Sequence, residues 1–225
     1  MMDILDDGGV ASPARAQIGE AVRTRLDRNP MVSRIDAARL EIYGRRDFLD
    51  AGECAGLRAL IDADARPSTL FSGSANADYR TSHSCNLNPW EPLVNRISDR
   101  ICALLGLAPD HGETLQGQRY GQGQEYKAHC DYFPVTASYW PAMLQSGGQR
   151  SWTAMIYLSQ VDGGGETHFP HCEFMVPPLE GMILIWNNMN PDGAPNPFSL
   201  HAARPVERGT KYVVTKWFRE RPWTP

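Results

Sequence analysis

The stretch YGQGQEYKAHCDYF, residues 120–133, holds one of the chain's six histidines two places before an aspartate, with only Cys130 between them. Read as an extended strand over 124–131, it turns His129 and Asp131 to one face, because side chains alternate with period two. An imidazole and a carboxylate aimed at one point make two thirds of a two-histidine, one-carboxylate non-heme iron site. His-x-Asp by itself is equally at home in a turn, where both residue types are common. The rest of the chain has to decide between the two.

Around this stretch, beyond Gly106, short runs of strand character alternate with Gly and Pro turns. They cover 114–120, 124–131, 151–159, 166–169, 174–176, 181–187, 199–204 and 211–219. That rhythm predicts a two-sheet jelly roll or barrel of about eight strands. Upstream the pattern is helical. Ser12-Pro13 reads as an N-cap with proline at the first helical position, opening a polar helix to about Arg28. Residues 40–49 read as a strand and its exit. Asp50 with Glu53 forms a capping box, followed by the stripe Cys54, Leu57, Leu60 and Ile61. Pro67 to Asn88 reads as a long loop carrying YRTSHSCNL. Asn88-Pro89 opens another helix, with Trp90, Leu93, Val94, Ile97, Ile101, Leu104 and Leu105 at helical spacing and Gly106 as its stop. The expected class is α+β, mainly β, with helices packed against one sheet.

Composition narrows the function. The 225 residues carry a formal net charge of -4, and no sequence-wide excess of basic residues points to nucleic acid or an anionic membrane as partner. No apolar run approaches the roughly 18 residues of a membrane span. The acidic start MMDILDDGGVASP lacks the basic and apolar regions of a secretory signal. Five scattered cysteines without a Cys-x-x-Cys pair argue against a disulfide framework and for a reducing, cytoplasmic setting.

His201, in SLHAARPVERGTKYVVTKW, lies on a run of strand character, and opposed sheets offer a way to bring it beside His129 and Asp131. On the last strand Lys211, Val213, Thr215 and Trp217 share a face. If that face points inward, an ammonium is buried and calls for a counter-ion such as a bound dicarboxylate. If it points outward, Lys211 is an ordinary solvated lysine.

RYGQGQEYKAHCDYF, GGGETHFP, GMILIW, a DG pair, and SLHAARPVERGTKYVVTKWFRE occur in this order. Together with the upstream YRTSHSCNL, this set of blocks resembles the prolyl 4-hydroxylase branch of the Fe(II)- and 2-oxoglutarate-dependent dioxygenases, over roughly residues 40 to 221. The resemblance implies a double-stranded β-helix, with residues 1–39 as an N-terminal helical extension and 40–225 as the dioxygenase domain (core about 114–221). It implies His129, Asp131 and His201 as iron ligands, Lys211 paired with the distal carboxylate of 2-oxoglutarate, and Tyr120 supporting that cosubstrate. It places Arg150 near a peptide substrate and Tyr126 and Trp217 beside the prolyl site. Residues 73–86 resemble the segment that closes over the peptide. The implied reaction uses Fe(II), 2-oxoglutarate and O2, with L-ascorbate as a supporting reductant. It yields succinate and CO2 and hydroxylates a proline-containing peptide or protein, as a procollagen-proline 4-dioxygenase does.

Departures from the pattern are His168 and His171 in HFPH, read as structural rather than metal-binding, and Arg219, where some relatives have a histidine thought to touch the substrate. Cys130 is expected on the face opposite the ligands. The helix over 13–28 is a candidate homodimer contact or a lid. Other readings are hydroxylation of free proline or another small substrate, a catalytically silent jelly-roll sensor or binding module, and a zinc hydrolase built on the same trio.

Overall fold

The computed structural model describes residues 9–69 and 78–225. Helix α1 (Pro13–Asp27) begins where Ser12 accepts from the Arg15 N–H and proline takes the first helical position. Strands β1 (Ser33–Arg34) and β2 (Ile42–Arg45) follow. Helix α2 (Ala51–Asp64) opens on the reciprocal Asp50/Glu53 capping box that its sequence predicts, and buries Cys54, Leu57 and Ile61.

The expected loop over 67–88 is partly strand. After β3 (Arg66–Pro67), His83–Asn86 forms β4 and pairs with the strand that begins at Gln116. Ser, His, Cys and Asn have little strand propensity, so only the neighbouring strand reveals it. The proposed peptide-closing segment lies partly outside the described residues. Helix α3 (Pro92–Leu105) starts later than Asn88-Pro89 suggests, since Glu91 is its N-cap and Pro92 its first residue. Trp90, expected on the buried stripe, is 88% exposed as a result. Gly106 ends the helix at φ 71°, a left-handed turn that glycine accepts without strain.

The β-rich part runs through β5 (Gln116–Tyr120), β6 (Tyr126–His129), helix α4 (Trp140–Gln145) and β7 (Arg150–Tyr157). It continues with β8 (Gly163–Gly164), β9 (Thr167–Phe169), β10 (Phe174–Val176) and β11 (Ile183–Asn187). Last come β12 (His201–Ala203), β13 (Val206–Arg208) and β14 (Lys211–Arg219). Neither α4 nor β13 is among the runs marked by the sequence pattern.

The larger sheet has the order β1-β2-β11-β7-β14-β5-β4-β3, the smaller β10-β9-β12-β6, and β13-β8 form a separate pair. Alternation along the central strands builds two cores. Ala154, Ile156, Ile183, Ile185 and Val214 face the helices, together with Val22 and Leu26 of α1. Met155, Tyr157, Leu184, Trp186 and Val213 face the smaller sheet, meeting its Phe169, Val176 and Ala203. This is the double-stranded β-helix with helices on one sheet. Gly117 shows how close the helical layer comes, since a Cβ there would lie 2.4 Å from Ile61 Cγ1 of α2. Helix α1 is fastened at both ends, by the 2.8 Å ion pair of buried Arg15 with Glu220 and by Arg25 donating to the Ala103 and Leu104 carbonyls. Among the described residues, no helix is long and apolar enough to cross a membrane.

Candidate metal and cosubstrate site

His129 ends β6 and His201 begins β12, and the two residues sit directly opposite each other in the antiparallel register. The sequence reading brought them together across opposed sheets. They are instead neighbours within the smaller sheet, with ring centroids 4.3 Å apart. Asp131 lies just past the end of β6, its Oδ2 3.8 Å from His201 Nε2. One ligand atom from each of His129, Asp131 and His201 lies within 4.8 Å of the others. Among the described residues this is the one such cluster, and His168 and His171 stay outside it. Because β6 stops at His129, strict alternation ends there, and Cys130, expected to face away, borders the same cavity.

The donor set fits a divalent iron. Nδ1 of His129 lies 2.8 Å from the Lys127 carbonyl, and Nδ1 of His201 lies 2.9 Å from the Ser199 carbonyl. A carbonyl only accepts, so each Nδ1 carries a proton and Nε2 is the nitrogen left to face a metal. Burial, reinforced by His201, lowers the His129 pKa to about 3, so this ring is neutral at physiological pH. Burial alone would raise Asp131, but His201, His129 and Arg150 outweigh it and hold the carboxyl below its ordinary range. Two imidazoles and one carboxylate on one side suit Fe(II) and leave room for exogenous ligands.

A second layer orients the carboxylate. The Thr153 hydroxyl donates to Asp131 Oδ2 at 2.7 Å, and the Asn188 amide donates to Thr153 Oγ1 at 2.9 Å. Thr153→Val keeps the shape and removes that donor. Iron affinity, measured by titration of the metal-free protein, is expected to fall about 10–100-fold. The sequence carried a signal for Thr153 that went unused: it is a polar residue on the inward face of β7, in step with Met155 and Tyr157.

Lys211 settles the choice left open above. It is 1% exposed and lines a cavity of about 940 Å³ that also borders the histidines and Asp131. It opens β14 opposite Tyr120 of β5, on the larger sheet, so ammonium and ligand trio face each other across the barrel. Its Nζ sits 5.4 Å from the Tyr120 ring and 5.6 Å from the Tyr157 ring. Among the described residues, no hydrogen bond or ion pair holds it. Burial lowers its pKa to about 7, against the weaker opposite pull of Glu166. Tyr120 is also buried and donates to Gln118 Oε1 at 2.7 Å.

The remaining predicted residues form one wall. Tyr126 stacks on His129 at 3.6 Å between centroids, holding the ligand ring from behind. Arg80, from the YRTSHSCNL block, lies 4.8 Å above Tyr126, a partner that the sequence reading left unassigned. Arg150 sits 4.0 Å over Trp217 and binds Glu113 through two 2.7 Å contacts. Arg219 reaches the same carboxylate at 2.6 Å. Glu113 has no motif around it, and only the folded strands show that two arginines converge there.

The fold and donor set define a class, the Fe(II)- and 2-oxoglutarate-dependent oxygenases with a jelly-roll core. The family model for the 2OG-Fe(II) oxygenase superfamily matches residues 115–219. Prolyl 4-hydroxylase 1 of Arabidopsis thaliana is 32% identical over 195 residues, covering 78% of this chain and 67% of that protein. Prolyl 4-hydroxylase subunit alpha-3 of Bos taurus is 36% identical over 179 residues, covering 77% of this chain, which spans only 32% of that subunit. Among solved structures, the viral collagen prolyl hydroxylase of Paramecium Bursaria Chlorella virus-1, in its 2OG complex, superposes with a TM-score of 0.62 at 26% identity, covering 79% of this chain and 95% of that one. The chain belongs to the prolyl 4-hydroxylase family of the 2OG-Fe(II) oxygenases.

Proposed function

We propose that the protein hydroxylates a prolyl residue in a peptide or protein, consuming 2-oxoglutarate and O2 and releasing succinate and CO2. The observation that carries this reading is the buried Lys211 ammonium, held by no hydrogen bond or ion pair among the described residues and set opposite His129, Asp131 and His201. Iron, when bound, supplies the oxygen chemistry that couples 2-oxoglutarate decarboxylation to C–H hydroxylation. The chain's part is placement. Lys211 anchors the distal carboxylate of the cosubstrate, and the barrel wall around it keeps water out. Thr153 and the two backbone carbonyls fix the directions of the ligands. Tyr126, Trp217 and Arg150 border the space left for a peptide, and the cavity is far larger than 2-oxoglutarate needs. L-Ascorbate belongs to this proposal as the reductant for iron oxidised in uncoupled cycles. So does a reducing, cytoplasmic location, in keeping with five free cysteines.

The test incubates the iron-loaded protein with a library of proline-containing peptides and with free proline. Mass spectrometry should show a gain of one oxygen on a peptidyl proline, dependent on 2-oxoglutarate and matched by succinate. Oxygen incorporated only into free proline, or none into any substrate, would exclude the reading.

A further inference from the structure

Two of the three metal ligands take their direction from one loop. Residues 188–200 join β11 of the larger sheet to β12 of the smaller. At the near end Asn188 is fully buried and donates to Thr153, which holds Asp131. At the far end the Ser199 carbonyl accepts from His201 Nδ1 at 2.9 Å. The two ends are also tied to each other. The Asn196 N–H donates to the Asn188 carbonyl at 2.9 Å. The Asn196 carbonyl in turn accepts from the Ser199 N–H at 3.0 Å and from the Ser199 hydroxyl at 2.7 Å. A shift of this loop is therefore felt at Asp131 and at His201 together, whereas His129 takes its orientation from Lys127 of its own strand.

The groups that grip the loop come from the N-terminal part of the chain. At the loop tip the Ser12 N–H donates to the Asp192 carbonyl at 2.9 Å. Buried Arg15 donates through Nε to the Gly193 carbonyl at 2.6 Å. Only glycine fits at 193, where φ is 81° and a Cβ would lie 2.2 Å from the Ser12 carbonyl oxygen. Nearer the far end, the Asn196 amide donates to the Arg39 carbonyl at 2.9 Å, and the Arg39 guanidinium lies 4.2 Å over the Phe198 ring. Arg15 also pairs with Glu220, just past β14, which anchors the grip to the larger sheet.

We infer that the start of α1, together with Arg39, clamps the 188–200 loop, and that Arg15 is a positioning residue for the metal ligands Asp131 and His201. This rests on the assignment of those ligands to iron. A metal site binds tightly when its donor atoms are held in place before the ion arrives, and the groups that hold them contribute to affinity. Arg15 reaches the ligands through Gly193 and the loop, then through Asn188 and Thr153 to Asp131 and through Ser199 to His201. The helix that the sequence offers as a dimer contact or a lid thus gains a part in the metal site.

The experiment uses the full chain freed of metal, titrated anaerobically with Fe(II) and, for spectroscopy, with Co(II). Arg15→Met removes the contact to Gly193 along with the ion pair. Gly193→Ala pushes the loop tip off Ser12 and leaves the ion pair in place. Arg39→Gly, at an exposed position whose φ of 63° glycine accepts, removes the guanidinium over Phe198 and keeps the fold whatever the other two do. All are measured below their melting temperatures, with far-ultraviolet dichroism to confirm folding. Fe(II) affinity should fall about tenfold in the first two, the lower end for outer-shell partners, and by a smaller factor in the third. The visible Co(II) bands should shift as well, because the ligand directions change. A helix contact that only stabilises the fold would lower the melting temperature and move neither readout. Combined with Thr153→Val, Gly193→Ala should cost less affinity than the two single losses multiplied together, since both act on Asp131 through the same contact. Parent-like affinity and Co(II) bands in the folded variants, or fully multiplicative losses, overturn the clamp and leave the ligand assignment standing. A parent that binds neither metal overturns the assignment itself.

Discussion

Lys211→Met is expected to move two quantities in opposite directions. Without cosubstrate the variant unfolds at a higher temperature than the parent, because an ammonium that is 1% exposed and has no ion pair among the described residues is replaced by an apolar side chain of similar length. With 2-oxoglutarate, the stabilisation seen in the parent disappears, and the dissociation constant rises about a hundredfold, the scale of a charge-assisted contact. Iron binding stays near the parent value, since Lys211 lies on the other sheet from the histidines. The pH dependence follows from linkage. Folding lowers the Lys211 pKa from 10.5 to about 7, so between those values the unfolded chain binds more protons than the folded one. Stability of the cosubstrate-free parent therefore rises as pH increases from about 7 toward 10.5, and the penalty is fully present below 7. The variant lacks this slope. Calorimetric melts across that range, with and without 2-oxoglutarate, check both halves. A variant that melts lower in both states and still binds 2-oxoglutarate would show that Lys211 is a packing residue.

Asp131→Ala is expected to remove activity altogether. The carboxylate is the single acidic member of the trio, and its loss leaves two imidazoles and a stranded Thr153 donor. Iron affinity should fall by more than the hundredfold at the upper end for an outer-shell partner. Succinate formation should drop below detection, while the far-ultraviolet dichroism of the barrel remains. The acid side of the profile carries a related expectation. Burial, with His201, puts the His129 pKa near 3, against 6.5 for a free imidazole. Between those values the unfolded chain holds a proton that the folded chain excludes, so stability declines as pH falls from about 6.5 toward 3. Protons therefore do not compete with iron for His129 at pH 6, as they would for an exposed histidine. Turnover surviving in Asp131→Ala would falsify the ligand assignment.

Much of this molecule is readable one element at a time. Ser12-Pro13, the Asp50/Glu53 box and Gly106 mark helix ends, because a cap is a contact between residues three or four apart. The strands of the barrel show as short runs of strand character between Gly and Pro turns, because each pass of a sheet has to end in a turn that those residues favour. His129 and Asp131 fall on one short stretch, so their convergence is a local matter.

What the chain pattern could not decide are the contacts between distant segments. His201 lies 72 residues beyond His129, and only the β6–β12 register makes them direct neighbours rather than residues on facing sheets. Strand β4 is built from Ser, His, Cys and Asn, and exists because β5 supplies its hydrogen bonds. Lys211, by residue type alone, reads first as an ordinary surface lysine, until the second sheet covers it. Glu113 is one unremarkable acid until β7 and β14 each bring it an arginine. Local geometry is encoded by neighbours along the backbone. Register, burial and charge balance are set by which surfaces the collapsed chain presses together, and those belong to the tertiary structure alone.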